Sequence, residues 1–184
     1  MKLYLFLFIT LFLSAQSVFS QNVVFVADKT TVSFFSEARM ENIQATSTTG
    51  STAGINATNK DIVFKISILS FRFKNSLMEE HFNENYMDSD KFPYGFFKGK
   101  ILEDIDLTKE GKYNVTVQGT FDLHGISKPR KFNGVIENKG GKLFLDSEFM
   151  VPVADHNIDI PNDKLTNISQ TIKVTLHAEF NRKK

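Results

Sequence analysis

The 184-residue chain has no cysteine, no tryptophan, only four prolines, and no excess of charge, with 22 basic against 21 acidic residues. Without cysteine it can form no disulfide, offers no thiol nucleophile, and cannot be a lipoprotein anchored through an acylated cysteine. Balanced charge gives no electrostatic reason to expect nucleic acid or an anionic membrane surface as a partner. No Gly-x-Ser-x-Gly elbow, glycine-rich phosphate loop, fixed-period repeat or low-complexity segment occurs. Long apolar runs are absent too. The one candidate, Leu3 to Leu13 behind Lys2, is too short for a bilayer span, which needs about 20 apolar residues. With Val18 and Ser20 placed at −3 and −1, it predicts a signal peptide over residues 1–20, cleaved before Gln21. Residues 21–184 are then one exported domain, periplasmic or secreted, without stable membrane insertion, and large enough for a core that needs no disulfides.

Phenylalanine is plentiful: 19 occur, four of them in the leader. So much aromatic surface suits a large core or an apolar cavity, and composition alone leaves both open. Its placement is periodic. Tyr113, Val115, Val117, Gly119, Phe121 and Leu123 alternate with polar residues, the signature of a long strand with one wet face. Ile62, Phe64, Ile66 and Ile68 alternate similarly, as do Ile172, Val174, Leu176, Ala178 and Phe180. Shorter β-branched and aromatic runs predict strands at Val23 to Ala27, Thr30 to Ser36, Ile43 to Thr48, Tyr94 to Ile101, Lys131 to Glu137 and Lys142 to Val153. A tight corner is expected at Asp28-Lys29, a polar loop at Gly50 to Gly54, and turns at Gly125 to Pro129 and Asn138 to Gly141. About seven to nine strands with one helix fit an all-β antiparallel barrel or sandwich. Closure favours the eight-stranded barrel, because it removes open edges and can enclose one small ligand.

The helix belongs to the stretch Ser70 to Gly99. Ser76 and Glu79 are spaced as a capping box, and Met78, Phe82 and Tyr86 make one apolar stripe at i, i+4 and i+8. Asp88 to Phe92-Pro93 ends it. Such a stripe must cover something apolar, at an end or a side of the barrel.

Two blocks resemble the signatures of the YceI-like family. One is Leu77-Met78-Glu79-Glu80-His81-Phe82-Asn83-Glu84-Asn85-Tyr86 with Lys91-Phe92-Pro93 and Phe96-Phe97-Lys98-Gly99. The other is Gly119 to Lys128. The resemblance covers nearly all of the chain after the leader. It implies a lipocalin-like barrel and, from some members, an isoprenoid or other lipid held inside. One departure is Asp155-His156-Asn157-Ile158-Asp159-Ile160-Pro161, where many members carry a glycine-containing stretch, so ligand identity is not carried across.

The leading expectation is therefore a non-enzymatic exported carrier of a long apolar molecule, with no cofactor and no metal. Its candidate lining comprises Phe64, Ile66, Val117, Phe121 and Leu123 from alternating strands, and Leu77, Met78, Phe82 and Tyr86 from the helix. Phe71, Phe73 and Phe97, which flank that helix in sequence, complete the candidate ligand-binding set. The alternatives are a structural or partner-binding barrel with a filled core, or a hydrolase or isomerase using His81 or His156. His81 with Glu84 at i+3 could touch a metal, but no second histidine follows at i+4, and packing against the barrel rim explains it equally. His124 can tie the turn backbone through a ring nitrogen, and Asp155, His156 and Asp159 have no nucleophile signature beside them. Oligomeric state is not legible, so a homodimer stays open.

Overall fold

The alternating run ending at Leu123 forms one of the long strands in a computed structural model that describes residues 22–183. The expected leader, residues 1–20, lies outside the described residues. The strands are β1 (Val24–Glu37), β2 (Asn42–Ser47), β3 (Thr52–Asn56), β4 (Asp61–Ser67), β5 (Arg72–Phe73), β6 (Tyr94–Ile101), β7 (Gly111–Leu123), β8 (Ile126–Lys139), β9 (Lys142–Pro152) and β10 (Thr171–Arg182). Eight of them close an antiparallel ring in the order β1, β10, β9, β8, β7, β6, β4, β3 and back to β1. β1 is long enough to hold two neighbours on one edge: Val24 to Val26 pair with β3, and Val32 to Glu37 pair with β2. β2 and the short β5 thus extend the wall at one end of the barrel.

Local differences from the sequence reading have local causes. The corner expected at Asp28-Lys29 is a bulge inside continuous β1, where the register against β10 shifts between Ala27 and Lys29. Thr52 to Asn56 are strand and not loop, because Ala53 and Ile55 point inward and are buried; only the turn at Gly50, with φ of 69°, precedes them. The turn expected over Gly125 to Pro129 shrinks to His124-Gly125, whose φ values of 53° and 72° give a primed two-residue hairpin turn. Its twist matches that of the strands, so β7 and β8 pair again at once, and Pro129 sits inside β8 opposite Thr120.

The inward glycines Gly99 and Gly119 face each other across β6 and β7. A Cβ on Gly119 would lie 2.4 Å from the Gly99 Cα and 2.2 Å from the Lys98 carbonyl oxygen. The two backbones approach where only hydrogen fits, which allows the sheet to bend tightly. Gly119→Ala should therefore cost about 1 to 3 kcal/mol, as overpacking of a closed core does, read as a lower urea midpoint with an unchanged m-value.

The barrel interior divides along its axis. In one half Phe25, Ile55, Ile62, Ile101, Leu107, Ile136, Leu143, Ala178 and Phe180 are shut off from solvent, between 0% and 2% exposed. In the other half inward side chains of β1, β4, β9 and β10 line a cavity instead. The two alternatives that composition left open, filled core and cavity, thus coexist in one barrel.

Candidate functional site: a one-ended apolar cavity

The open half encloses a cavity of about 480 Å³. Strands give it walls through Val32, Phe34, Ile66, Val151 and Val174, and two irregular segments close over it. The first is helix α1 (Ser76–His81), continued by a π-helical turn over Phe82–Tyr86. Asn75, and not Ser76, caps it, its side chain accepting from the Leu77 amide at 2.9 Å. Glu79 reaches back as a capping-box acid does, but to the Phe73 amide at 3.2 Å and the Arg72 guanidinium at 3.0 Å, so it binds α1 to β5. The π turn widens the helix by a residue, and the Met87 amide donates to Phe82 five residues back at 2.9 Å. Met87 consequently turns inward beside Phe82 and Tyr86 and is buried, although a 3.6-residue period would not place it on that stripe.

The second segment runs from Val153 to Gln170. Met40 donates to the Thr166 carbonyl, Ser169 to the Ser36 hydroxyl, and Val153 to the Gln170 carbonyl, at 2.9, 2.9 and 3.0 Å. These bonds hold Ile158, Ile160 and Ile168 against the cavity. Where the chain departs from the family-like glycine stretch, Asn157 has φ of 53°. Asparagine tolerates this left-handed conformation, so the turn survives without glycine.

Of the residues expected to line an interior, Ile66, Phe71, Phe73, Leu77, Met78, Phe82, Tyr86, Phe121 and Leu123 do line the cavity. Leu77 does so from the rim, 53% exposed. Phe64, Phe97 and Val117 do not; alternation predicts which face a residue takes but not its height, and these three belong to the packed core below. Phe64 meets Phe180, and Phe97 meets Phe132, at ring separations of 6.3 and 5.3 Å. The lining that sequence reading missed includes Phe34, Met87 and Phe149. Phe34 stands in an alternating strand and was legible; Met87 depends on the π turn and was not. Polar groups collect at the rim, among them Glu41, Asn75, His81, Lys164 and Asn167.

The histidines separate. His81 is exposed at the cavity rim. His124 donates from Nδ1 to the His156 carbonyl at 3.1 Å, and its ring packs on Phe92 at 4.6 Å. It therefore ties the hairpin turn to the segment after β9 and not merely to its own backbone. His156 is completely buried, and its Nδ1 lies 3.2 and 3.0 Å from the carbonyls of Leu123 and Ile126. Since both partners are acceptors, Nδ1 carries the hydrogen and Nε2 the lone pair. Burial pushes the His156 pKa below its ordinary value, against those two hydrogen bonds. Asp155 points elsewhere and pairs with Arg130 of β8. The two signature blocks meet here: Phe92 of the first lies so close to Gly125 of the second that a Cβ there would come within 2.6 Å of its ring. Among the described residues, no three His, Asp or Glu side chains gather as a metal site would require.

Comparisons with known proteins agree with this architecture. The model of the YceI-like domain matches residues 20–180. A polyisoprenoid binding domain from Saccharophagus degradans, implicated in plant cell wall breakdown, superposes with a TM-score of 0.74 at 13% identity, over 89% of this chain and 100% of that one. BcnA of Burkholderia cenocepacia gives 0.67 at 13%, over 82% and 95%. A YceI protein of Campylobacter jejuni gives 0.58 at 18%, over 73% and 81%. At these identities the likeness is one of fold. No curated protein matches the sequence.

Proposed function

The chain belongs to the YceI-like family, and on that premise we propose that it is an exported binding protein that carries one apolar chain, an isoprenoid or another lipid, in the hollow half of its barrel. The observation that carries this reading is the cavity: about 480 Å³, walled by aliphatic and aromatic side chains, with none of its charged groups buried and its one buried hydroxyl, Ser36, already bonded to the Ser169 amide. A cavity with such walls offers an apolar occupant dispersion contacts on every side. The Saccharophagus degradans relative described as polyisoprenoid binding supports the same ligand class. A binding role also accounts for the histidines better than catalysis does. His156 commits its one N–H to backbone, and His81 stands at the rim with no nucleophile signature beside it. Export rests on the leader over residues 1–20 and places the carrier in the periplasm or outside the cell.

Native mass spectrometry of protein purified from its exporting host, followed by solvent extraction, tests both parts. The expected spectrum shows a chain beginning at Gln21 with one apolar molecule bound, released on extraction. A retained leader on the exported form would overturn the processing. A stripped protein that takes up no apolar chain would overturn the carrier.

A further inference from the structure

The cavity has a floor. Phe121 and Phe149 line the cavity and also pack into the closed core, and Phe132 lies against both, 5.8 Å from the Phe121 ring and 4.2 Å from that of Phe149. Behind Phe132 stands Phe97, at 5.3 Å. Phe132 projects from β8 level with Val117 of β7, and Phe149 from β9 level with Val174 of β10, so the layer reaches across several strands of the ring. Below it the core is closed-packed and offers no continuation of the space. A chain entering past α1 therefore has one way in and meets a stop.

We propose that this phenylalanine layer is a ruler, making Phe132 and Phe149 the residues that determine the length of chain the protein prefers. The inference rests on the carrier reading and narrows it. Taking a methylene as about the size of a water molecule, which occupies roughly 30 Å³ in the liquid, 480 Å³ holds on the order of sixteen such groups. The preferred ligand is then a single chain of about fourteen to eighteen carbons with its polar end at the rim, and a long polyprenyl chain must leave most of its length outside. Up to the floor each added methylene is desolvated and contributes affinity; beyond it, further carbons stay in water at the rim and contribute little.

The test is a displacement titration on the delipidated mature protein, using saturated fatty acids from about ten to about twenty-four carbons against a fluorescent fatty-acid probe. Affinity should rise roughly fourfold per methylene, the equivalent of about 0.8 kcal/mol, and level off near sixteen carbons. Phe149→Ala should move the break to chains about two to four carbons longer. Val174→Phe lies opposite Phe149 on the neighbouring strand, leaves no hole, and should move the break to shorter chains. It keeps the test intact if removal of the floor ring unfolds the barrel. Affinity that climbs without a break in wild type, or a break that stays in place in the variants, would overturn the ruler while leaving the carrier standing. Failure of wild type to bind any length would sink the carrier and the ruler together.

Discussion

Phe82→Ala should lower the stability of the lipid-free protein by about 3 kcal/mol, the lower end of the range for a buried phenylalanine, because one side of the ring stays open to the cavity. The other side is heavily engaged. The Phe82 ring lies 5.2 Å from Phe34, stacked on it, 5.1 Å from Phe73 and 5.9 Å from Phe71. Phe34 also touches Phe71 and Phe73, at 5.3 and 5.6 Å, so four rings from β1, β5, the turn before β5 and the π turn form one cluster. α1 itself buries no residue, and this cluster, together with the Glu79 bonds to β5, secures it to the barrel. The helix is consequently both lid and plug: anchored by Phe82, covering by Met78. Met78 lines the cavity without belonging to either packed cluster. Met78→Ala should weaken chain retention with a stability change within about 1 kcal/mol. Urea titrations of the two stripped variants, with far-UV spectra to show that the barrel persists, separate the roles. Equal melting of stripped Phe82→Ala and wild type would show that the cluster does not hold the helix.

Much of this was legible in the sequence. Period-two alternation identified most of the strands and which face turns inward, since a strand has only two faces and burial chooses between them. The Asp28 bulge was not legible because it depends on the register against β10, far away in the chain, and the hairpin length was not because it depends on His124, a non-glycine residue, taking a positive φ beside Gly125. The inner face was also readable without its depth. Phe64 and Ile66 occupy the same face of β4, yet one is packed core and the other cavity wall. Their difference is set by the stagger of the barrel and by which inward neighbours are large enough to meet. The family resemblance added what periodicity could not, a closed barrel with an apolar ligand inside, while the meeting of Phe92 with the turn at Gly125 is visible only in the structure. Capping chemistry was half readable: Glu79 does reach back past the helix start, but Asn75 already supplies the cap, which frees the carboxylate for Arg72 and Phe73.

Acidification should destabilise the protein well before any carboxylate is protonated, and His156 should be the cause. Its pKa in the folded state is lowered by burial, so the unfolded chain, with an imidazole pKa near 6.5, holds more protons than the folded one. The stability that follows is complete above about pH 6.5 and is lost as pH falls towards the depressed folded value. Protonation would place a charge at Nε2, which is buried and has no hydrogen-bond partner, next to the Phe121 ring at 5.2 Å. The neighbouring ion pair changes this little, since Arg130 opposes the extra proton and Asp155 favours it. Glu103, Asp104 and Asp106 also have lowered pKa values, held down chiefly by hydrogen bonds from Thr116, Lys60 and Thr108 respectively. Their stabilisation is lost only through the carboxylate range, below about pH 4.5, and His81, His124 and His177 are common to wild type and variants, so a difference in slope between about pH 7.5 and 5 reports on His156. His156→Ala should cost about 2 to 4 kcal/mol at neutral pH, through a cavity and two carbonyls that lose their donor. His156→Asn keeps a donor for those carbonyls and should cost less. In both variants the urea midpoint should fall less with decreasing pH across that window than it does in wild type. The same residue holds Val153 and Ile158 against the cavity through the segment after β9, so acid should also loosen the grip on a bound chain. A wild-type slope that persists unchanged in both variants would remove His156 as its origin.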